Sequence, residues 1–314
     1  MTPQALPERT RSYLNHVMDS RRWDRFVPRA GDILISTPPK CGTTWMQRIV
    51  SLLVFQSTEL PVPLGRISPW IDANFLSLVI DCFPVIEQQT HRRFLKSHLP
   101  LEALPYYPEL RYITVARDGR DAFMSLWNHY RSFTPAAYEL LDRAAPPGQG
   151  PYPRTPDDIH EFWRIWIQQA SAPDAQPSPS LTLFDVVRSF WDFRALENVL
   201  HVHYNDLKRD LDGEMRRIAD FLDIPVREEV WGELVDAATF ASMKRDGPKL
   251  LEGFELIFEG GAESFLHKGT NDRWRDVLGP AELADYDAAV RRTCTPALAR
   301  WLEHGREGRD PRQL

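Results

Sequence analysis

The chain has 314 residues, 43% hydrophobic and 26% charged, an ordinary globular composition that excludes general disorder. At ~150 residues per domain this length allows two domains, yet single α/β domains also reach it without needing disulfides or metal. With 38 basic against 44 acidic residues the net charge is −6, the wrong sign for coating nucleic acid or an anionic membrane. Any phosphate it binds must be held by a local site.

The first 130 residues alternate strand-like and helix-like runs. Asp32 to Ser36 is a short apolar strand, and Thr44 to Phe55 reads as a helix. Arg93 to Lys96 and Arg111 to Ala116 are further strands, the second leading through Asp118-Gly119 into a helix over Asp121 to Tyr130. Such alternation predicts a parallel sheet covered by helices on both faces. Nine of the 26 prolines then fall between Pro135 and Pro179, a density that breaks regular structure. One helix, Asp157 to Gln168, interrupts that stretch with Phe162, Trp163, Ile165 and Trp166. Residues 134–181 read either as a lid over a site or as a surface excursion packed on the core. Sheet logic resumes at Val199 to Tyr204, followed by a helix with Leu211, Met215, Ile218, Ala219 and Leu222 in period, ending near Pro225. A helix from about Pro280 to Leu302 closes the pattern. No repeat or second unit is visible, so one domain over 1–314 is expected.

Cys41, Cys82 and Cys294 are odd in number and far apart, with neither a disulfide framework nor metal-binding spacing. Pro3, Pro7 and Glu8 occupy the stretch where a signal peptide needs an apolar core. No run approaches the ~18 apolar residues of a membrane span. A cytoplasmic protein without membrane insertion is expected.

The strongest chemical signal is Ser36 to Trp45, a loop between strand and helix where backbone amides and a helix N-terminus converge on an anion. Gly42 permits close backbone approach, Lys40 adds a charge, and Thr43 and Thr44 add hydroxyls. The nucleotide-triphosphatase pattern is absent, because the lysine precedes the glycine. The bland alternative is a turn with a capping threonine. Arg117 to Asp121, with Ser125 further along the helix, follows a strand's C-terminal end, where open α/β sheets bind ligands. A salt-bridged helix start is the alternative there. His98, within Leu95 to Pro100, is either a general base or a satisfied structural histidine. Phe265 to Trp274 is a basic glycine loop. His201 and His203 share a strand face, but without a third ligand no metal is expected.

In order and content these motifs resemble the cytosolic-type sulfotransferases, which use 3′-phosphoadenosine 5′-phosphosulfate (PAPS). Pro39 to Trp45 matches the family's Pro-Lys-Ser/Ala-Gly-Thr-Thr-Trp with cysteine in the variable slot, and Lys96 to Pro100 matches its Lys-Thr/Ser-His segment. Arg117 to Ser125 matches a third motif with Gly119 in place of proline, and Tyr204-Asn205-Asp206 stands for Tyr-Glu-Asp. The resemblance spans about Arg22 to Leu278. It implies a three-layer α/β domain with a central parallel sheet, the P-loop nucleotide-kinase-like sulfotransferase fold. It assigns the donor to Lys40, Cys41, Gly42, Thr43, Thr44 and Trp45, with Arg117 and Ser125 on the 3′-phosphate. Tyr204 is implied to line the nucleotide, as are Thr239 and Phe240, where the match is looser because Ala238 fills the slot of a family hydroxyl residue. His267, Lys268 and Gly269 stand for the family's Arg-Lys-Gly, and the later Gly-Asp/Glu pair has become Asp272-Arg273. The family's dimer segment is not recognisable around Lys249 to Ser264.

The implied reaction is in-line sulfuryl transfer to a hydroxyl, with Lys40 on the bridging oxygen, His98 as base, Lys96 assisting, and no metal. A kinase of P-loop type and a catalytically silent nucleotide- or lipid-binding protein on the same fold are the competing readings. Apolar residues in the variable stretches, Phe75, Leu76, Phe133, Tyr138, Trp163, Trp166 and Phe254, suit a hydrophobic small-molecule acceptor. Departures from the animal-type pattern point to a bacterial member acting on an alcohol, phenol or glycolipid.

Overall fold

Short runs of Ile, Leu and Val between turn residues build the sheet in a computed structural model that describes residues 5–170 and 183–314. In chain order the elements that position the site are β1 (Ile33–Ser36), α1 (Thr43–Phe55), β2 (Phe94–Ser97), β3 (Arg111–Ala116), α2 (Gly119–Arg131) and α3 (Pro135–Arg143). They continue with α4 (Ile159–Ala170), α5 (Leu183–Trp191), β4 (Val199–His203), α6 (Tyr204–Arg209), α7 (Leu211–Phe221), α8 (Pro280–Thr293) and α9 (Pro296–His304). The four strands lie in the order β2-β1-β3-β4, all parallel, with Ser36 opposite Ser97 and Ala116 opposite His203. The chain steps out from β1 to β2, then crosses back to β3. This reversal leaves a crevice beyond the carboxyl ends of the strands.

Alternation along the strands sends side chains to both faces. Ile33 and Ile35 join α1 and α7 in one apolar cluster, whereas Leu34, Leu95 and Tyr112 join Val186 and Phe190 of α5 in another. A third cluster gathers α2, α4, α8 and α9. Helices on both faces of a parallel sheet give the expected three layers.

Two helix expectations need correction. Pro135 starts α3 instead of breaking structure: it sits in the first turn, where no N–H is needed, and Thr134 Oγ1 accepts from Ala137 N at 3.1 Å. The closing helix is two, because Pro296 cannot continue α8 and restarts the chain as α9 under a Thr295 cap. In the proline-rich stretch, α4 buries Trp163 and Trp166 against Phe123 of α2, with ring centroids 4.8 and 5.4 Å away. That helix belongs to the core, and residues 171–181 of the expected lid lie outside the described residues.

At the amino end of the sheet Arg93 and Asp32 form a bidentate buried pair, with Nε to Oδ1 at 2.8 Å and both side chains at most 3% exposed. Asp32 also accepts from Arg29 N, and Arg93 donates to the Val27 carbonyl, so each partner is fully engaged. Arg93→Met leaves the carboxylate buried and unpaired, which costs about 3–5 kcal/mol. Urea unfolding checks this, and a loss below about 1 kcal/mol contradicts it.

Candidate functional site

The loop from β1 to α1 is shaped by two left-handed residues, Lys40 at φ 66° and Gly42 at φ 110°. Gly42 is required on two grounds, since a Cβ there would also lie 3.1 Å from the Tyr204 ring. The turn points the first free amides of α1 into the crevice, where they meet an anion favourably. Ser36 Oγ donates to the Leu99 carbonyl at 2.7 Å and ties this loop to the one after β2.

Lys40, from this loop, and Lys96, from β2, enter the crevice, and neither forms an ion pair among the described residues. Lys40 Nζ lies 3.5 Å from His129 Nδ1 and 4.0 Å from the Phe265 ring centroid. Lys96 Nζ lies 4.3 Å from the Trp70 centroid. Burial, then the charges of Lys96 and Arg117, push Lys40 down to about 7; burial pushes Lys96 down to about 8 against an opposing pull from Asp72.

His98 is oriented for proton transfer. Its Nδ1 lies 2.7 Å from the Thr37 carbonyl, which can only accept, so Nδ1 carries the hydrogen and Nε2 keeps its lone pair. Burial, chiefly, and the nearby Lys96 charge hold the ring well below the usual histidine range. The imidazole is therefore neutral at physiological pH.

Asp72 fastens this arrangement, and no signal in the sequence singles it out. Wholly buried, it accepts from Trp70 Nε1 at 2.8 Å, Trp23 Nε1 at 3.2 Å and the His98 amide at 3.3 Å. Trp70 in turn meets the His98 ring edge-on at 4.9 Å. Burial raises the Asp72 carboxyl, while the surrounding donors oppose that shift.

Across the crevice, Arg117 donates to the Thr270 carbonyl at 3.0 Å and Asn271 Oδ1 at 2.9 Å, and stacks 4.2 Å over Tyr204. Its buried Nε has no partner. Gly269 at φ 62° has Phe240 so close that a Cβ would sit 2.5 Å from the ring. Trp45 packs edge-on against Tyr204 at 5.2 Å, fixed by an indole bond to the Ala238 carbonyl at 2.7 Å.

One cavity of about 260 Å³ joins these parts. Of the expected residues, Lys40, Gly42, Thr43, Thr44, Trp45, Lys96, His98, Arg117, Ser125, Tyr204, Phe240, His267, Lys268 and Gly269 all line it. Two do not. The Cys41 side chain is buried in the core beside α2, and Thr239 caps the short helix Phe240–Arg245, its Oγ1 accepting from Ser242 N. Another part of the cavity wall is apolar, with Met18, Phe75, Leu76, Phe133, Phe254 and Phe258. Tyr138, Trp163 and Trp166, expected at the acceptor end, are not in its wall; the two tryptophans are core residues. His129 and Arg273 also line the cavity, without having been singled out in the sequence as ligands.

His203 and His201 are structural. His203 donates from Nε2 to the Leu302 carbonyl at 2.9 Å and caps α6 through Nδ1, while His201 packs between Trp191 and Trp301.

Residues 30–301 match the family model described as a sulfotransferase domain. A glycolipid sulfotransferase of Mycobacterium bovis (strain BCG / Pasteur 1173P2) is 32% identical over 319 residues, covering 95% of this chain and 96% of the relative. A retinol dehydratase structure in complex with androsterone and the inactive cofactor PAP aligns at a TM-score of 0.66 with 20% identity, covering 87% of this chain and 83% of that one. A mouse sulfotransferase complexed with PAP aligns at 0.64 with 20% identity over 90% and 92% of the two chains. At that identity these likenesses concern the fold.

The His98 tautomer is open to measurement. Long-range proton–nitrogen NMR on ring-labelled protein should show a neutral imidazole protonated at Nδ1 at pH 6.5; an imidazolium at that pH contradicts the geometry.

Proposed function

The chain belongs to the sulfotransferase family, and from that membership we propose that it moves the sulfuryl group of PAPS to a hydroxyl of a hydrophobic, lipid-like acceptor such as a glycolipid. The observation that carries this reading is the meeting of two unlike half-cavities at Lys40, Lys96 and His98. One half holds cations without counter-ions and suits a polyanionic nucleotide, the buried, unpartnered Nε of Arg117 included. The other half is lined by phenylalanine and aliphatic side chains and suits an apolar body bearing one hydroxyl. The mycobacterial relative's name, a glycolipid sulfotransferase, supports the acceptor class.

The chemistry follows from charge. The acceptor oxygen bonds to sulfur as the bond from sulfur to the bridging oxygen breaks, giving a sulfate ester and 3′-phosphoadenosine 5′-phosphate (PAP). Negative charge grows on the departing oxygen, where Lys40 and the α1 amides stabilise it. The acceptor gives up its proton to Nε2 of His98, held by the Thr37 carbonyl and by Asp72. Lys96, on the same rim, offsets charge on the transferring group. Lysines and amides supply the positive charge that magnesium supplies in phosphoryl transfer, so we assign no metal to the step. The three cysteines form no disulfide, which agrees with a cytoplasmic enzyme. Neither a kinase nor a silent binding protein is favoured by any feature of this cavity.

His98→Ala should lower kcat by ~10²–10⁴-fold while PAP binding stays at the wild-type level. Transfer from radiolabelled PAPS to a glycolipid acceptor, with calorimetry alongside, checks both parts. Near-wild-type turnover removes His98 from the proton transfer.

A further inference from the structure

The basic glycine loop departs from the family pattern at two positions that the geometry connects. His267 occupies the slot of the family's arginine, and Arg273 occupies that of an acidic residue. Arg273 lines the cavity within electrostatic reach of Arg117, Asp121 and Tyr204. Its Nε is buried with no hydrogen-bond partner, and the residue forms no ion pair among the described residues. Its neighbours differ: Arg275 is paired with Asp272 at 2.9 Å, and Arg120 is paired with Asp118.

Asp121 does not serve as its counter-ion. Its Oδ1 accepts from the Asp272 amide at 2.7 Å, and burial pushes its carboxyl up to about 6. That amide bond also holds Asp272 in the left-handed turn, φ 65°, that leads into Arg273. Asp tolerates this conformation better than most residues, so the turn survives the loss of the family's glycine. Two guanidinium groups, Arg117 and Arg273, thus line one cavity with a single carboxylate, Asp121, within electrostatic reach of both and hydrogen-bonded to the Asp272 amide. Such an arrangement calls for an anion. His267 cannot supply the missing arginine's charge, because burial and the adjacent cations hold its imidazole below the usual range.

We propose that Arg273 binds the 3′-phosphate of the donor nucleotide together with Arg117, replacing from the far side of the loop the charge lost at His267. This rests on the donor reading above. The guanidinium fork matches a phosphate's oxygens in a way that a neutral imidazole cannot.

The test is calorimetric titration of the full chain with PAP and with adenosine 5′-monophosphate, which lacks only the 3′-phosphate. Arg273→Gln should weaken PAP binding by ~10–100-fold, the span of a charge-assisted bond, and leave the monophosphate unchanged. The unchanged ligand reports that the variant is folded. Arg273→Lys should show a smaller loss confined to PAP, and adding His267→Arg to Arg273→Gln should recover PAP affinity. No loss in either single variant, or equal losses for both nucleotides, overturns the assignment while the donor reading stands. A wild-type protein that binds the two nucleotides equally overturns both.

Discussion

The site depends on positive charge held without counter-ions at the carboxyl edge of a parallel sheet. Lys40, Lys96, Arg117 and Arg273 line one cavity there, and the carboxylates that act on Lys96 and Arg273, Asp72 and Asp121, are hydrogen-bonded to other groups. Asp72 accepts from two indoles and an amide, and Asp121 accepts from the Asp272 amide. Desolvated cations are costly, and both lysines register that cost as lowered pKa values. A polyanionic ligand returns what burial took away. At the opposite edge of the sheet the charges are closed, as in the Arg93–Asp32 pair.

The same cations divide the cavity. Lys40 lies over the Phe265 ring and within electrostatic reach of Arg117, so polarity changes across this one side chain. Trp70 does comparable work opposite: its face meets Lys96, its edge meets His98, and its N–H is spent on Asp72. The His98 imidazole and the Lys96 cation are thereby both held against one rigid ring, rather than by two independent rotamers.

Much of this was legible in the sequence, for local reasons. The strands announce themselves because they are apolar runs closed by turns, and the loop around Lys40 to Trp45 is contiguous, so its chemistry can be read from spacing. Arg117, His98 and Tyr204 were likewise legible, each beside a recognisable strand end, and Ser125 through its spacing from Arg117 along α2. What stayed hidden depends on long-range contact. Asp72 is an isolated acid until the fold brings Trp23 and His98 to it, and His129 is one more helix residue until Lys40 arrives. Arg273 was visible only as a departure from a pattern. Cys41 and Thr239 err in the other direction: adjacency to ligands in sequence does not turn a side chain toward the cavity, and these two face the core and a helix cap. Pro135 and Pro296 show that proline marks a helix start as readily as a break.

The most direct test is binding of PAP against ATP in the presence of a metal chelator, followed over pH 7 to 9. In the free protein Lys40 and Lys96 titrate near 7 and 8, and a bound anion raises both. Binding therefore takes up protons above pH 7, and affinity must fall as pH rises through this window. PAP should bind more tightly than ATP without metal and weaken from pH 7 to 9. Tighter binding of ATP, or PAP affinity that is flat across that range, would contradict this expectation.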